Sequence, residues 1–174
     1  MKEYNGEILN FYRVSARQER DGYLRPSDVI HPIKCRVEEI MEFAEKMEYK
    51  RLGLAFCIGL KEEVSIFTKI LGNGGFDIVS VPIAQAAILN DDETEFNIVL
   101  GLCVGHDSLF FKHSEAPTTV LAAKDRLLGH NPPAALYTPK GYYSKLVRKR
   151  LLKCEYKFLP VKNKELAQIF NRMA

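Results

Sequence analysis

Hydrophobic positions along the chain fall into two alternating patterns. Short apolar runs at Arg51 to Cys57, Phe76 to Val81, Phe96 to Leu102 and Thr118 to Ala123 lack strict polar alternation, as strands covered on both faces do. Between them, Lys61 to Leu71, Pro82 to Leu89 and Asp107 to His113 read as helices. The first of these stops at Gly72-Asn73-Gly74-Gly75, and the second has proline in its first turn. Upstream, a docking helix is predicted within residues 5–21, where Ile8, Leu9, Phe11, Tyr12 and Val14 recur at helical spacing and Gly22 is the stop. A proline-bearing loop from Leu24 to Pro32 separates it from a helix over Arg36 to Met47, which buries Val37, Ile40, Met41, Phe43 and Ala44.

Strands alternating with helices predict an α/β fold: a Rossmann-like, three-layer domain with a four-stranded parallel sheet, strand order 2-1-3-4, and helices added at both termini. We expect one domain over residues 1–174, with its core at about 36–137 and a basic appendage over 138–174. In that appendage a basic amphipathic helix runs from about Tyr142 to Leu152, an alternating Cys154-Tyr156-Phe158 stretch follows, and a last helix covers Lys164 to Met173.

Composition narrows the function classes. Apolar residues make up 47% of the 174 and charged residues 27%, the balance of a globular protein. With no apolar run of membrane-spanning length and no signal-peptide core at Met1-Lys2-Glu3-Tyr4-Asn5, a cytoplasmic protein is expected. Its four cysteines lie far apart and are expected as free thiols. A net charge of +3 does not by itself argue for nucleic acid, although ten Lys or Arg stand against two Glu between Lys140 and Arg172. The face formed by Lys145, Arg148, Lys149, Arg150 and Lys153 reads as a solvated outer face before it reads as a nucleic-acid contact.

Candidate chemistry gathers at the carboxyl ends of the strands, where exit loops separate at the switch in strand order. The first strand ends in Cys57 and the third leads into Cys103, each followed two residues later by a glycine, Gly59 and Gly105, that permits a close backbone approach to a bound group. Each thiol has a plain alternative as a small apolar filler. His106, three residues after Cys103, and His130, in a proline-stiffened loop, complete a possible tetrahedral set of Cys57, Cys103, His106 and His130 suited to zinc or, second, to iron or an iron-sulfur centre. Either histidine is equally explained by bonds to its loop. In a different class of reading, Cys103 is a nucleophile near a helix start, with His106 as base or stabilising cation and the amides of Val104 and Gly105 binding an anion. Asp107 then caps the helix. Lys124-Asp125-Arg126 follows the fourth strand and offers a binding place, Lys124 first, for an anionic substrate, or is simply a solvated or ion-paired exit loop.

Three segments carry a family resemblance: Leu54-Ala55-Phe56-Cys57-Ile58-Gly59-Leu60, Gly101-Leu102-Cys103-Val104-Gly105-His106-Asp107-Ser108-Leu109-Phe110, and Lys124-Asp125-Arg126-Leu127-Leu128-Gly129-His130-Asn131-Pro132. Over roughly Arg36 to Tyr137 the chain resembles an uncharacterised prokaryotic family labelled predicted metal-binding proteins. That resemblance implies a metal or thiol site without naming a reaction. It also shows two departures: only Cys35 stands where members carry an amino-terminal cysteine cluster, and Ser80-Val81 runs straight into Pro82-Ile83-Ala84-Gln85-Ala86 where members carry a cysteine-containing insert. Either a reduced site of two thiols with histidines survives, or binding is lost and the fold remains; loss of a segment from a longer chain would leave the same junction. The expectations are therefore a cytoplasmic metal-binding protein first, a thiol-dependent transferase or sulfur-handling enzyme using Cys103 second, and a non-catalytic binding protein third. The partner is a metal ion or small anionic ligand, with no membrane; the Leu109-Phe110-Phe111 run fits either core or a homo-oligomer surface.

Overall fold

The computed structural model describes residues 6–24, 29–82 and 85–144. It divides into two compact units, one ending at Pro132 and one beginning at Pro133. In the first unit, helix α1 (Gly6–Asp21) is followed by a short antiparallel ladder of β1 (Tyr23–Leu24) with β2 (His31–Pro32), and then by helix α2 (Arg36–Lys46). Next come β3 (Arg51–Phe56), α3 (Lys61–Asn73), β4 (Asp77–Pro82) and α4 (Ala86–Asp91). The unit continues with β5 (Phe96–Leu100), α5 (His106–His113) and β6 (Thr118–Ala122). The four longer strands pair in parallel in the order β4-β3-β5-β6, the 2-1-3-4 order that the alternation predicts.

Side-chain alternation along the central strands sorts the core into two layers. Leu52 and Leu54 of β3 with Phe96, Ile98 and Leu100 of β5 face one way, against Ile40, Phe43 and Ala44 of α2 and Val64, Phe67 and Leu71 of α3. Ala55 and Val99 face the other way, against Ala86 and Leu89 of α4 and Phe110 of α5. Phe110 is therefore core rather than dimer surface, while Leu109 and Phe111 beside it are exposed. Helix α1 docks as its apolar stripe predicts: the Phe11 ring meets Phe43 edge-on at 5.2 Å, and Phe43 lies 5.4 Å from Phe96. Across the same contact Lys46 reaches Asp21 at 2.9 Å and Gln18 at 2.6 Å.

Most boundaries fall within two residues of the sequence expectation, and three differences have a clear physical reason. Pro82 does not open a helix: it is the last residue of β4, paired with Phe56, and α4 begins at Ala86. An edge strand tolerates proline at its end because no neighbour needs the missing N–H. Strand β5 stops at Leu100 rather than Leu102, since Gly101 turns the chain with φ +65°. The Leu24 to Pro32 loop closes on itself through the β1-β2 ladder.

One polar side chain, Asn97, is fully buried in the central strand β5. Its Nδ2 donates to Ser114 Oγ at 2.8 Å, and the Thr94 hydroxyl lies 2.8 Å from its Oδ1 and 3.0 Å from the Leu89 carbonyl. Replacing Thr94 by valine keeps the shape and removes the donor. Thr94→Val should therefore lower the unfolding free energy by about 1–3 kcal/mol, read from the denaturant midpoint, because a buried carbonyl is left without a partner. An unchanged midpoint would mean that Asn97 finds another donor.

In the second unit the described residues hold one short helix, α6 (Ala134–Tyr137). The expected basic helix beyond Ser144, the Cys154 to Phe158 stretch and the final helix lie outside the described residues. Among the described residues no helix is long and apolar enough to cross a membrane.

Candidate functional site

The carboxyl edge of the sheet places a cation against each of two thiols. Cys57 immediately follows β3. Its N–H continues the ladder to the Leu100 carbonyl at 3.2 Å, and its own carbonyl accepts from Leu60 N at 2.8 Å, closing the short 3-10 turn Ile58–Leu60. That turn brings the Gly59 N–H near enough to the Cys57 sulfur to act on its ionisation. Lys124, two residues past β6, brings its Nζ to 2.8 Å from Cys57 Sγ. Beside it Gly101, with φ +65°, gives Leu60 its place: a Cβ there would collide with the Leu60 side chain, while it would meet the Lys124 stem only at ordinary contact distance.

This environment acts on the thiol. The Lys124 ammonium, followed by the Gly59 N–H, holds the Cys57 thiol below its ordinary pKa, burial opposes the shift, and the charge of Arg126 adds to the lowering. The physical reason is direct: a nearby cation and an N–H donor favour the thiolate over the neutral thiol. Cys57 is half-buried, so its sulfur is both held and reachable.

Cys103 sits three residues past the end of β5 and is also half-buried, with Arg126 Nη2 at 3.4 Å from its sulfur. Its carbonyl accepts from His106 N at 2.9 Å and Asp107 N at 3.1 Å, which starts α5. Asp107 is not the cap foreseen: Gly105 holds the N-cap position with no side-chain cap, and Asp107 lies in the first turn of α5, its Oδ1 accepting from Ser108 N at 2.7 Å and Gly105 N at 3.1 Å. The Gly105 amide is thereby engaged, which corrects the expectation that it is available to an anion.

Neither histidine joins the thiols in a ligand cluster. His106 is exposed at the first position of α5. His130 closes its own loop: its N–H donates to the Asp125 carbonyl at 2.8 Å, and its Nδ1 accepts from Asp125 N at 3.1 Å. Among the described residues no group of three or more His, Cys, Asp or Glu side chains is placed to hold a metal ion. The set of Cys57, Cys103, His106 and His130 expected for zinc or iron is thus not assembled. What the structure brings to the thiols instead is Lys124 and Gly59 at Cys57 and Arg126 at Cys103, all of them residues singled out in the sequence.

Comparison with known proteins gives a family and no reaction. The family described as "Protein of unknown function (DUF1847)" matches residues 1–81 and 81–121, two segments that meet at Val81 near the end of β4. An uncharacterized protein of Methanocaldococcus jannaschii, MJ0455, is 41% identical over 175 residues, covering 84% of this chain and 86% of its own length. No solved structure matches the chain. Matched across the amino-terminal helices and the parallel sheet, and with a relative of that identity along most of its length, the chain belongs to the DUF1847 family.

Proposed function

We propose that the protein is a thiol-dependent transfer enzyme in which Cys57 is the nucleophile and Lys124 holds it as the thiolate. The observation that carries this reading is the 2.8 Å approach of Lys124 Nζ to Cys57 Sγ at the carboxyl edge of the sheet. A thiolate is the form that attacks carbon or sulfur electrophiles, and a cation beside it keeps that form populated at lower pH. Cys103, with Arg126 against it, is a second thiol at the same edge of the sheet. The nucleophile is therefore moved from Cys103 to Cys57, and no role is given to His106 as base, because a thiol already ionised needs none.

Zinc or iron held by the same thiols stays the alternative that the family resemblance suggests. It would require Lys124 to leave the sulfur and further donors to gather, and no contact in the structure favours it. Metal bound to Cys57 would shield it from alkylation until a chelator is added.

Alkylation tests the proposal. With iodoacetamide near pH 7, and modification read peptide by peptide, Cys57 should react at least about threefold faster than Cys35 although Cys35 is the more exposed thiol. Its rate should also persist to lower pH. Cys57 reacting no faster than Cys35, with or without chelator, would overturn the proposal.

A further inference from the structure

The charges around Cys57 select among its possible substrates. Lys124 and Arg126 flank Asp125 in the loop after β6, and among the described residues neither cation forms an ion pair with a carboxylate. Asp125 turns instead to the backbone, its Oδ1 accepting from the N–H groups of Leu127 and Leu128, each at 3.0 Å, and Asp107 does the same with Gly105 and Ser108. Lys124 is engaged by the Cys57 sulfur, which leaves Arg126 as the cation of this loop with no carboxylate in direct contact among the described residues. Arg126 is exposed, and among the described residues its hydrogen bond is the 3.4 Å contact to Cys103. The guanidinium has five N–H donors in a planar fork that fits a carboxylate, sulfonate or phosphate, and that contact uses one of its nitrogens.

Resting on the thiolate reading, we infer that the substrate is a small anionic electrophile: Arg126 docks its carboxylate, sulfonate or phosphate while Cys57 attacks a carbon or sulfur atom next to it. In that step the Cys57 sulfur forms a new S–C or S–S bond. The bond to the leaving group breaks, and the leaving group takes the electron pair. No proton moves, because the nucleophile begins as thiolate. A neutral electrophile of the same reactivity gains nothing from Arg126.

A pair of alkylating reagents isolates this point. Iodoacetate and iodoacetamide displace the same iodide, but only the first carries a carboxylate. The ratio of their rates at one cysteine does not depend on how much of that cysteine is ionised. On the full chain at neutral pH and low salt, the iodoacetate to iodoacetamide ratio at Cys57 should exceed that at Cys35 by on the order of threefold or more, as expected for a positive charge close enough to act on the Cys57 sulfur. It should fall toward the Cys35 ratio in Arg126→Gln and on adding salt, and be retained in Arg126→Lys. A ratio at Cys57 equal to that at Cys35, or an elevated ratio that survives Arg126→Gln, would overturn the inference while leaving the thiolate reading intact. Slow reaction of Cys57 with both reagents would instead remove the thiolate reading, and this inference with it.

Discussion

Lys124→Met should slow the alkylation of Cys57 by iodoacetamide at pH 7 by on the order of threefold to tenfold. Methionine keeps an unbranched stem of similar reach, so the packing past Gly101 survives while the ammonium is lost. Two effects then oppose each other. Each unit by which the thiol pKa rises cuts the thiolate fraction about tenfold at a pH below it, whereas the intrinsic nucleophilicity of a more basic thiolate rises about threefold. The first wins, and the net loss is about threefold for each unit. The pH profile carries the same sign. A lowered pKa in the folded chain means that the stabilisation from the Lys124 contact is complete above the pKa of an unfolded thiol and is lost as pH falls through the folded value. In Lys124→Met the alkylation profile should move to higher pH, with circular dichroism reporting an unchanged fold. A profile that does not move would show that Lys124 is a neighbour of Cys57 and not the source of its reactivity.

Gly53→Ala should be among the most damaging single substitutions in the sheet, lowering the unfolding free energy by about 3 kcal/mol. Gly53 lies in the middle of β3, paired with Val79 on one side and Asn97 on the other. A Cβ there would run into Asn97 Oδ1 and approach Leu89 Cδ1 to 2.8 Å. Leu89 is buried and Asn97 is tied to Thr94 and Ser114, so neither has room to retreat. The cause can be separated from a general weakness of the strand by a double-mutant cycle. In an Asn97→Ala background the added methyl meets no amide, and Gly53→Ala should cost clearly less than in the parent. Equal cost in both backgrounds, measured by denaturant unfolding, would rule out the collision with Asn97 as its origin.

Much of this architecture was legible in the residues. The apolar runs beginning at Arg51, Phe96 and Thr118 become strands at those residues, because buried parallel strands need continuous hydrocarbon and little else. Strand order followed from alternation with helices, and it put Cys57 and Cys103 at the correct edge of the sheet. What the chain did not disclose is finer. The β1-β2 ladder is two residues per strand, too short for any periodicity to announce it. Pro82 signals a helix start and an edge-strand end equally well.

The choice between thiols was illegible for another reason. Cys57 and Cys103 have similar surroundings in sequence, each in an apolar segment with glycine two residues on. Which one gains the ammonium depends on how far the flexible stem of Lys124 reaches from the end of β6 toward Cys57. Such a contact is set by three-dimensional packing between residues 67 apart. The histidines illustrate the reverse error. The spacing of His106 from Cys103 fits a ligand pair, but the same spacing also builds a helix start, where the Cys103 carbonyl accepts from His106 N and Asp107 N.

The sharpest test is the ionisation of Cys57 itself. Thiolate absorbance in the ultraviolet, titrated against pH for the parent chain and for Cys57→Ser, isolates this one thiol as the difference between the curves. An activated thiol gives a difference whose midpoint lies clearly below the usual value of about 8.5. It should shift upward when the titration is repeated in the Lys124→Met background. A midpoint at or above the usual value, or one that Lys124→Met leaves in place, would contradict the assignment of Cys57 as a thiolate held by Lys124.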